Sequence, residues 1–288
     1  MALATVAILV FFFIQIFSKD QHPRKMDEIP EFFDSRIEWP NCISSIYNQG
    51  SCGACYAIAV STAFAMRYCI NNNKNKIIDF SPQNLVNCLS GCKGEFPDLA
   101  WDYINKKGIT TEECIPYKKR ENNCDIKCDD STVPLKKFYG GEPKFLEDEI
   151  SIKKEIMANG PVTSMMNIYP DYYSYKSGIY SHSGNNEIKG FHAIVIIGWG
   201  EEDDVKYWLV RDSYGPSWGE NGYMKIKIGD ECGAGATAYC DEIQGNYKEE
   251  EETKNGNINN NNHTIENNYQ RKLILNIYTY LFLLYLFF

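Results

Sequence analysis

Asn48-Gln49-Gly50-Ser51-Cys52-Gly53-Ala54-Cys55-Tyr56 decides the reading of this chain, because it sets a thiol at the entrance to a run, Ala57 to Tyr68, that reads as a buried helix. A helix N-terminus carries partial positive charge and favours thiolate over thiol, the form that attacks carbonyl carbon. Gln49, a little upstream, offers an amide N–H to the oxyanion such an attack creates. Working outward, Gly190-Phe191-His192-Ala193-Ile194 opens an apolar strand on a histidine. Asp212-Ser213-Tyr214-Gly215-Pro216-Ser217-Trp218-Gly219 then adds a carboxylate. A thiol nucleophile, an imidazole to carry its proton and a group to orient the imidazole are what acyl transfer needs. The separation of Cys55 from His192 suits a pair that only folding brings together.

Around these motifs the chain divides by periodicity. The first half is helix-rich: Ser81 is an N-cap with Pro82 at the first helical position of a helix over Gln83 to Leu89, and Asp98 to Lys107 is a helix closed by Gly108. Cys114 to Cys128 is a cysteine-bearing loop, and Glu147 to Ala158 is a helix stopped by Asn159-Gly160-Pro161. The second half turns to strands, at Val162 to Ile168, Ala193 to Trp199, Tyr207 to Arg211 and Tyr223 to Ile228.

These motifs, in this order from about Ile29 to Ile243, resemble the papain family of cysteine proteases. Pro30-Glu31-Phe32-Phe33-Asp34-Ser35-Arg36 with Trp39-Pro40-Asn41-Cys42 is similar to the mature start of its cathepsin B-like members. The resemblance implies an α+β, papain-like two-domain fold. A helical left domain (about 42–135) and a β-barrel-like right domain (about 136–243) would face each other across the active-site cleft. It implies no cofactor and no metal, with Cys55 as nucleophile, His192 as proton carrier, Asp212 as its orienting group, and Gln49 with the Cys55 amide as oxyanion donors. It also implies disulfides Cys42–Cys69, Cys52–Cys92, Cys88–Cys124 and Cys114–Cys128 and a free Cys55; Cys232 and Cys240 are left over, either bonded to each other or free.

Departures from the family pattern carry their own expectations. Asparagine usually stands where Asp212 is, so an anion here should raise the histidine pKa and move the pH profile without abolishing activity. Tyr56 and Tyr214 stand where tryptophans are usual. Gly91-Cys92-Lys93-Gly94-Glu95 is similar to the family's Gly-Cys-x-Gly-Gly, whose last glycine pairs with substrate backbone. Gly94 and Glu95 therefore line the cleft, and the Glu95 side chain must point away from it. Phe191 and Trp218 are further substrate-binding positions, with Trp218 walling the leaving-group side. Thr237, aligned with an acidic specificity residue of cathepsin B, implies apolar preference. The occluding loop that makes cathepsin B an exopeptidase carries paired histidines. Cys114 to Cys128 is short and has none, which implies an open cleft and endopeptidase activity.

The bulk properties agree with a secreted globular protein. A net charge of −9 gives no electrostatic reason to expect nucleic acid binding. Eleven cysteines suit a disulfide-forming compartment, and the odd count leaves one free. Residues 1–18 read as a signal peptide: an apolar run broken only by Thr5 and Gln15, with Ser18 before Lys19-Asp20. Residues 19–28 are a short linker or residual propeptide, too short to fill a cleft. The acidic run Glu249 to Glu252 and the asparagine tract Asn255 to Asn262 read, within 244–272, as a disordered stalk with a glycosylation acceptor at Asn262. Leu273 to Phe288 is apolar to its end and reads as a lipid-anchor signal, a short membrane anchor or a docked tail. The expected locations are lysosome or vacuole, secreted, or cell surface. The expected partners are protein or peptide substrates and protein inhibitors of cysteine proteases.

Two other classes of function fit parts of the chain. Cys52-Gly53-Ala54-Cys55 has the spacing of a dithiol oxidoreductase, but no βαβ unit precedes it, and His192 and Asp212 would be left without a role. A zinc site from Cys52, Cys55, Cys88 and Cys92 conflicts with secretion. A catalytically inactive adhesive relative remains the third class, although adhesion requires neither the Cys55 thiol nor the Gln49 amide.

Overall fold

Small residues spaced along an otherwise apolar run let neighbours close in on every side of a helix, and Ala57, Ala59, Ala63 and Ala65 do this for the segment after Cys55. The computed structural model describes residues 28–73, 75–182, 184, 187–242, 247–252 and 258–260. In it, strand β1 (Phe33–Asp34) and helix α1 (Ser35–Glu38) lead to helix α2 (Cys55–Asn71), whose residues from Cys55 to Cys69 are all buried. Helix α3 (Pro82–Cys88) has the Ser81 side chain accepting the Asn84 N–H, with Pro82 at its first turn. Helix α4 (Pro97–Lys107) ends at Gly108, whose φ of 72° only glycine adopts without strain.

Strands β2 (Lys136–Tyr139) and β3 (Pro143–Leu146) precede helix α5 (Glu149–Asn159). α5 starts two residues later than its polarity pattern predicts, because Asp148 and Ser151 form a capping box there. Then come β4 (Val162–Ile168), β5 (Ile179–Tyr180), β6 (Gly190–Glu202), β7 (Val205–Arg211), β8 (Tyr223–Lys227), β9 (Ala238–Asp241), β10 (Lys248–Glu252) and β11 (Ile258–Asn260).

The main sheet runs β3-β9-β4-β6-β7-β8-β5, with β1 paired to β6. It is open, which corrects the β-barrel-like expectation. Its terminal strands β3 and β5 are four and two residues long and pair only inward. β1 can lie on β6 because Gly198 has no side chain; a Cβ there would stand 2.0 Å from the Phe33 carbonyl oxygen. One face of the sheet packs on the helical half. Ala57, Val60 and Phe64 of α2 share one buried cluster with Val195, Ile197 and Leu209 of the sheet.

The acidic run is a second correction. Where the composition predicts a disordered stalk, β10 pairs antiparallel with β2, and β11 adds a third strand. Lysines on β2 meet the carboxylates in register: Lys136 Nζ lies 3.2 Å from Glu249 and 3.4 Å from Glu251. Tyr139 donates to Glu250 at 2.8 Å. Just before the strand, the Tyr247 ring packs on Phe64 and Tyr68 at 5.3 and 5.4 Å. Backbone pairing and cross-strand charge, not burial of the run itself, hold it. The remainder of 244–272, Asn262, the leader at 1–18, most of the linker at 19–28 and the apolar tail at 273–288 lie outside the described residues. Among the described residues no helix is long and apolar enough to cross a membrane.

Candidate active site

Cys55 is the first residue of α2, and its N-cap, Ala54, places no side chain over that helix end. The first-turn N–H groups are therefore left for other acceptors. The adjoining loop is drawn tight by Cys52–Cys92 and by a 3.0 Å bond from Gly53 N–H to the Cys92 carbonyl. A Cβ on Gly53 would fall 2.6 Å from that oxygen, so only glycine fits. The other disulfides are Cys42–Cys69, Cys88–Cys124 and Cys114–Cys128. Of the two alternatives for Cys232 and Cys240, the structure has them free rather than bonded to each other. Cys240 is fixed within β9, and Cys232 in the preceding turn is tied to β4, its carbonyl accepting from Asn167 N–H at 2.7 Å.

His192, on β6, is 1% exposed and faces Cys55 across the packing of α2 on the sheet. Burial alone would raise the Cys55 pKa. The hydrogen bond and charge of His192, with backbone donors at Ala193 and Tyr56, outweigh it and hold the thiol below its ordinary value. His192 is the mirror case. Burial opposes its charge, but Asp212, and after it Cys55, raise it to about 10. Its Nε2 lies 3.1 Å from Asp212 Oδ2, which leaves Nδ1 for the sulfur. The ring is stacked on Tyr214 at 5.1 Å, so the usual aromatic cover is supplied by a tyrosine.

Asp212 is surrounded by donors. Oδ1 accepts from the backbone N–H groups of Ser213 (2.6 Å) and Tyr214 (3.0 Å), and Oδ2 from His192 and the Tyr172 hydroxyl. Four donors and no acceptor suit a carboxylate, whereas an asparagine would have to aim its NH2 at one pair of them. Asp212→Asn should therefore move the alkaline limb of the rate profile to lower pH by at least one unit. The sign follows from the loss of an anion that raises the imidazolium pKa. A profile superimposable on the wild type would contradict this.

Gln49 is set by the same loop. Its N–H donates to the Ser213 carbonyl at 2.8 Å, and its Oε1 accepts from Ser213 Oγ. Gln49 Nε2 spends one hydrogen on the Cys52 carbonyl at 3.1 Å, leaving the second for an oxyanion. Tyr117 supports this loop from below, its hydroxyl donating to the Gln49 carbonyl at 3.1 Å.

The structure thus brings Cys55, His192, Asp212 and Gln49 together. The other positions lie around them less directly. Gly94, at φ 89°, has open space where a side chain would be, and Glu95 turns its carboxylate onto Ser90 Oγ and the Phe96 N–H within its own loop. Phe191 is 68% exposed and, as the strand alternates, points opposite to His192. Trp218 packs on Tyr172 at 5.1 Å and on Tyr214 at 5.7 Å, and so walls the site through these rings. Thr237 is half-buried ahead of β9, its carbonyl accepting from Ser164 Oγ at 2.7 Å. Sequence reasoning missed Ser213 and Tyr172. Ser213 adjoins Asp212, a usable hint, whereas Tyr172 sits among other tyrosines with nothing to single it out.

A thiol, imidazole and carboxylate in line on an α+β scaffold define the class of cysteine peptidases. Residues 29–241 match the family described as papain family cysteine protease, and the chain belongs to that family. It is a cysteine peptidase of cathepsin B-like type. It is 34% identical over 230 residues to cathepsin B-like CP2 of Giardia intestinalis, covering 74% of each chain. It is likewise 34% identical over 252 residues to cathepsin B-like cysteine proteinase 4 of Caenorhabditis elegans, covering 74% of this chain and 75% of that one. Among solved structures, procathepsin B S9 from Trypanosoma congolense superposes with a TM-score of 0.71 at 31% identity, over 77% of this chain and 80% of that chain.

Proposed function

We propose that the chain is an endopeptidase in which the Cys55 thiolate attacks the scissile carbonyl carbon. As the C–N bond breaks, the His192 imidazolium gives its Nδ1 proton to the departing amine. Water then hydrolyses the thioester, the neutral imidazole taking a proton from it and returning to imidazolium as the thiolate leaves. Asp212 holds the ring through Nε2, and Gln49 Nε2 with the Cys55 N–H receives the oxyanion. The observation that carries this reading is the buried contact of Cys55 with an imidazole whose far nitrogen is anchored 3.1 Å from a carboxylate. Between the lowered pKa of Cys55 and the raised one of His192 the pair is thiolate and imidazolium, the form the reaction needs, so activity should fall on either side of that window.

The finer reading is that internal bonds are cut. The segment from Cys114 to Cys128 carries no histidine to capture a terminal carboxylate, and it is tied down by Cys114–Cys128 and by Cys124 to Cys88. Thr237 in place of an acid supports apolar preference in the second specificity pocket. Proteins and peptides are the substrates, and protein inhibitors of cysteine proteases are fitting partners. Four disulfides favour an oxidising compartment on the secretory route. The dithiol and zinc alternatives lose their ligands, since Cys52, Cys88 and Cys92 are all in disulfides.

The test is covalent labelling by an epoxysuccinyl probe alongside hydrolysis of internally quenched peptides. Stoichiometric labelling that Cys55→Ser abolishes, with cleavage at internal bonds, is the expected result. Release of C-terminal dipeptides alone would overturn the endopeptidase reading, and no labelling or cleavage at all would favour a binding protein.

A further inference from the structure

We infer that Tyr172 is a positioning residue of this site: its hydroxyl shares Asp212 Oδ2 with His192 and thereby sets how firmly the carboxylate holds the imidazolium. The inference rests on the catalytic reading of Cys55, His192 and Asp212 given above.

Tyr172 lies in the short turn Pro170–Ser174 between β4 and β5 and has no solvent exposure. A buried hydroxyl needs an acceptor, and this one donates to Asp212 Oδ2. Its ring cannot swing away. It is enclosed by Trp218 at 5.1 Å, His192 at 5.8 Å, Tyr214 at 5.9 Å and Tyr180 at 6.1 Å. The next residue, Tyr173, is half exposed and stacks on the outer side of Tyr214, so position 172 alone puts a phenol against the carboxylate. The titratable groups facing it are Asp212 and Tyr214 from the loop after β7, Cys55 from α2 and His192 from β6. Tyr180 of β5 packs on the ring but gives its own hydroxyl to Asp171.

A second donor on the oxygen that anchors His192 draws charge away from the Asp–His contact and restrains rotation of the carboxylate. An unshared carboxylate would grip the imidazolium more tightly, leaving a poorer acid for the leaving amine. The device requires a carboxylate. An asparagine side chain in its place, with the oxygen toward His192, would aim its NH2 at the Ser213 and Tyr214 N–H groups, and in the reverse orientation it would offer Tyr172 and His192 no acceptor.

The experiment measures the rate of alkylation of Cys55 by iodoacetate against pH in the wild type, Tyr172→Phe, Asp212→Asn and the double variant. Iodoacetate is an anion, so its rate falls as the imidazolium deprotonates, and Cys55→Ser supplies the background from buried Cys232 and Cys240. Tyr172→Phe should move that fall upward by about one pH unit and lower kcat on a peptide reporter about three- to tenfold. In the Asp212→Asn background the same substitution should move it by less than a third as much. An unmoved profile in Tyr172→Phe, or an equal displacement in both backgrounds, overturns the inference. Tyr172→Met repeats the test should phenylalanine not be accommodated. Because alkylation requires no turnover, a wild type that labels but cuts no peptide would refute the peptidase reading while still deciding the role of Tyr172.

Discussion

Replacing His192 with glutamine should lower kcat/KM on a peptide reporter by about 10³-fold or more, since it removes both the proton carrier and the activation of the nucleophile. Burial is the largest influence on Cys55, and it favours the neutral thiol. His192 supplies the two strongest opposing effects, and only the backbone N–H groups of Ala193 and Tyr56 remain without it. The variant should therefore carry an ordinary buried thiol, and its alkylation at neutral pH should slow in step with hydrolysis. Stability has a defined pH dependence as well. His192 binds its proton more tightly in the folded chain, at about 10, than in the unfolded one, near 6.5. That contribution is complete below about 6.5 and is lost as pH rises through 10. The lowered pKa of Cys55 acts in the opposite sense, adding stability as pH rises towards its unfolded value, so the net effect of the pair is smaller than that of His192 alone. Unchanged labelling at pH 7 would refute the assignment of His192.

Arg67→Ala should cost about 3–5 kcal/mol of folding stability, the range for breaking a buried ion pair from one side. Arg67 is on the central helix α2 and has no solvent exposure. Its Nε lies 2.7 Å from Asp241 Oδ1 on β9, and its Nη2 lies 2.8 Å from Glu155 Oε1 on α5. Nη1 donates to the Gly160 carbonyl at 3.2 Å and Nη2 to the Asp241 carbonyl at 2.7 Å. One guanidinium therefore joins the central helix to two elements of the β half. Glu155 keeps Lys144 and Asn159 as partners when the arginine is gone, so the penalty falls mainly on Asp241. For a chain of this size the loss corresponds to a melting point lower by roughly 6–20 °C. Adding Asp241→Asn should recover part of it. A melting point within about 2 °C of wild type would contradict the assignment.

Much of the fold is legible along the chain because its signals are local. Ser81 and Pro82 announce α3, Gly108 ends α4, and apolar runs mark β6 and β7. Errors arise where a segment's state depends on a distant partner. Glu249 to Glu252 has the composition of a solvated run, and it is a strand because Lys136 and Tyr139, more than a hundred residues earlier, receive it. Closure of the sheet likewise depends on whether two short edge strands meet, which no local pattern encodes.

The sequence by itself determined the chemistry on offer: a thiol at a helix entrance, an imidazole opening a strand, a carboxylate and an amide, in an order shared with one protein family. Tertiary structure alone decided the environment of those groups. It put the imidazole out of water beside both thiol and carboxylate, gathered four donors around Asp212, chose Tyr172 from twenty tyrosines, and left Cys232 and Cys240 unbonded. The physical reason is that residue identity states which protons and charges exist. Their strength depends on desolvation and hydrogen bonding, which are properties of the folded surroundings.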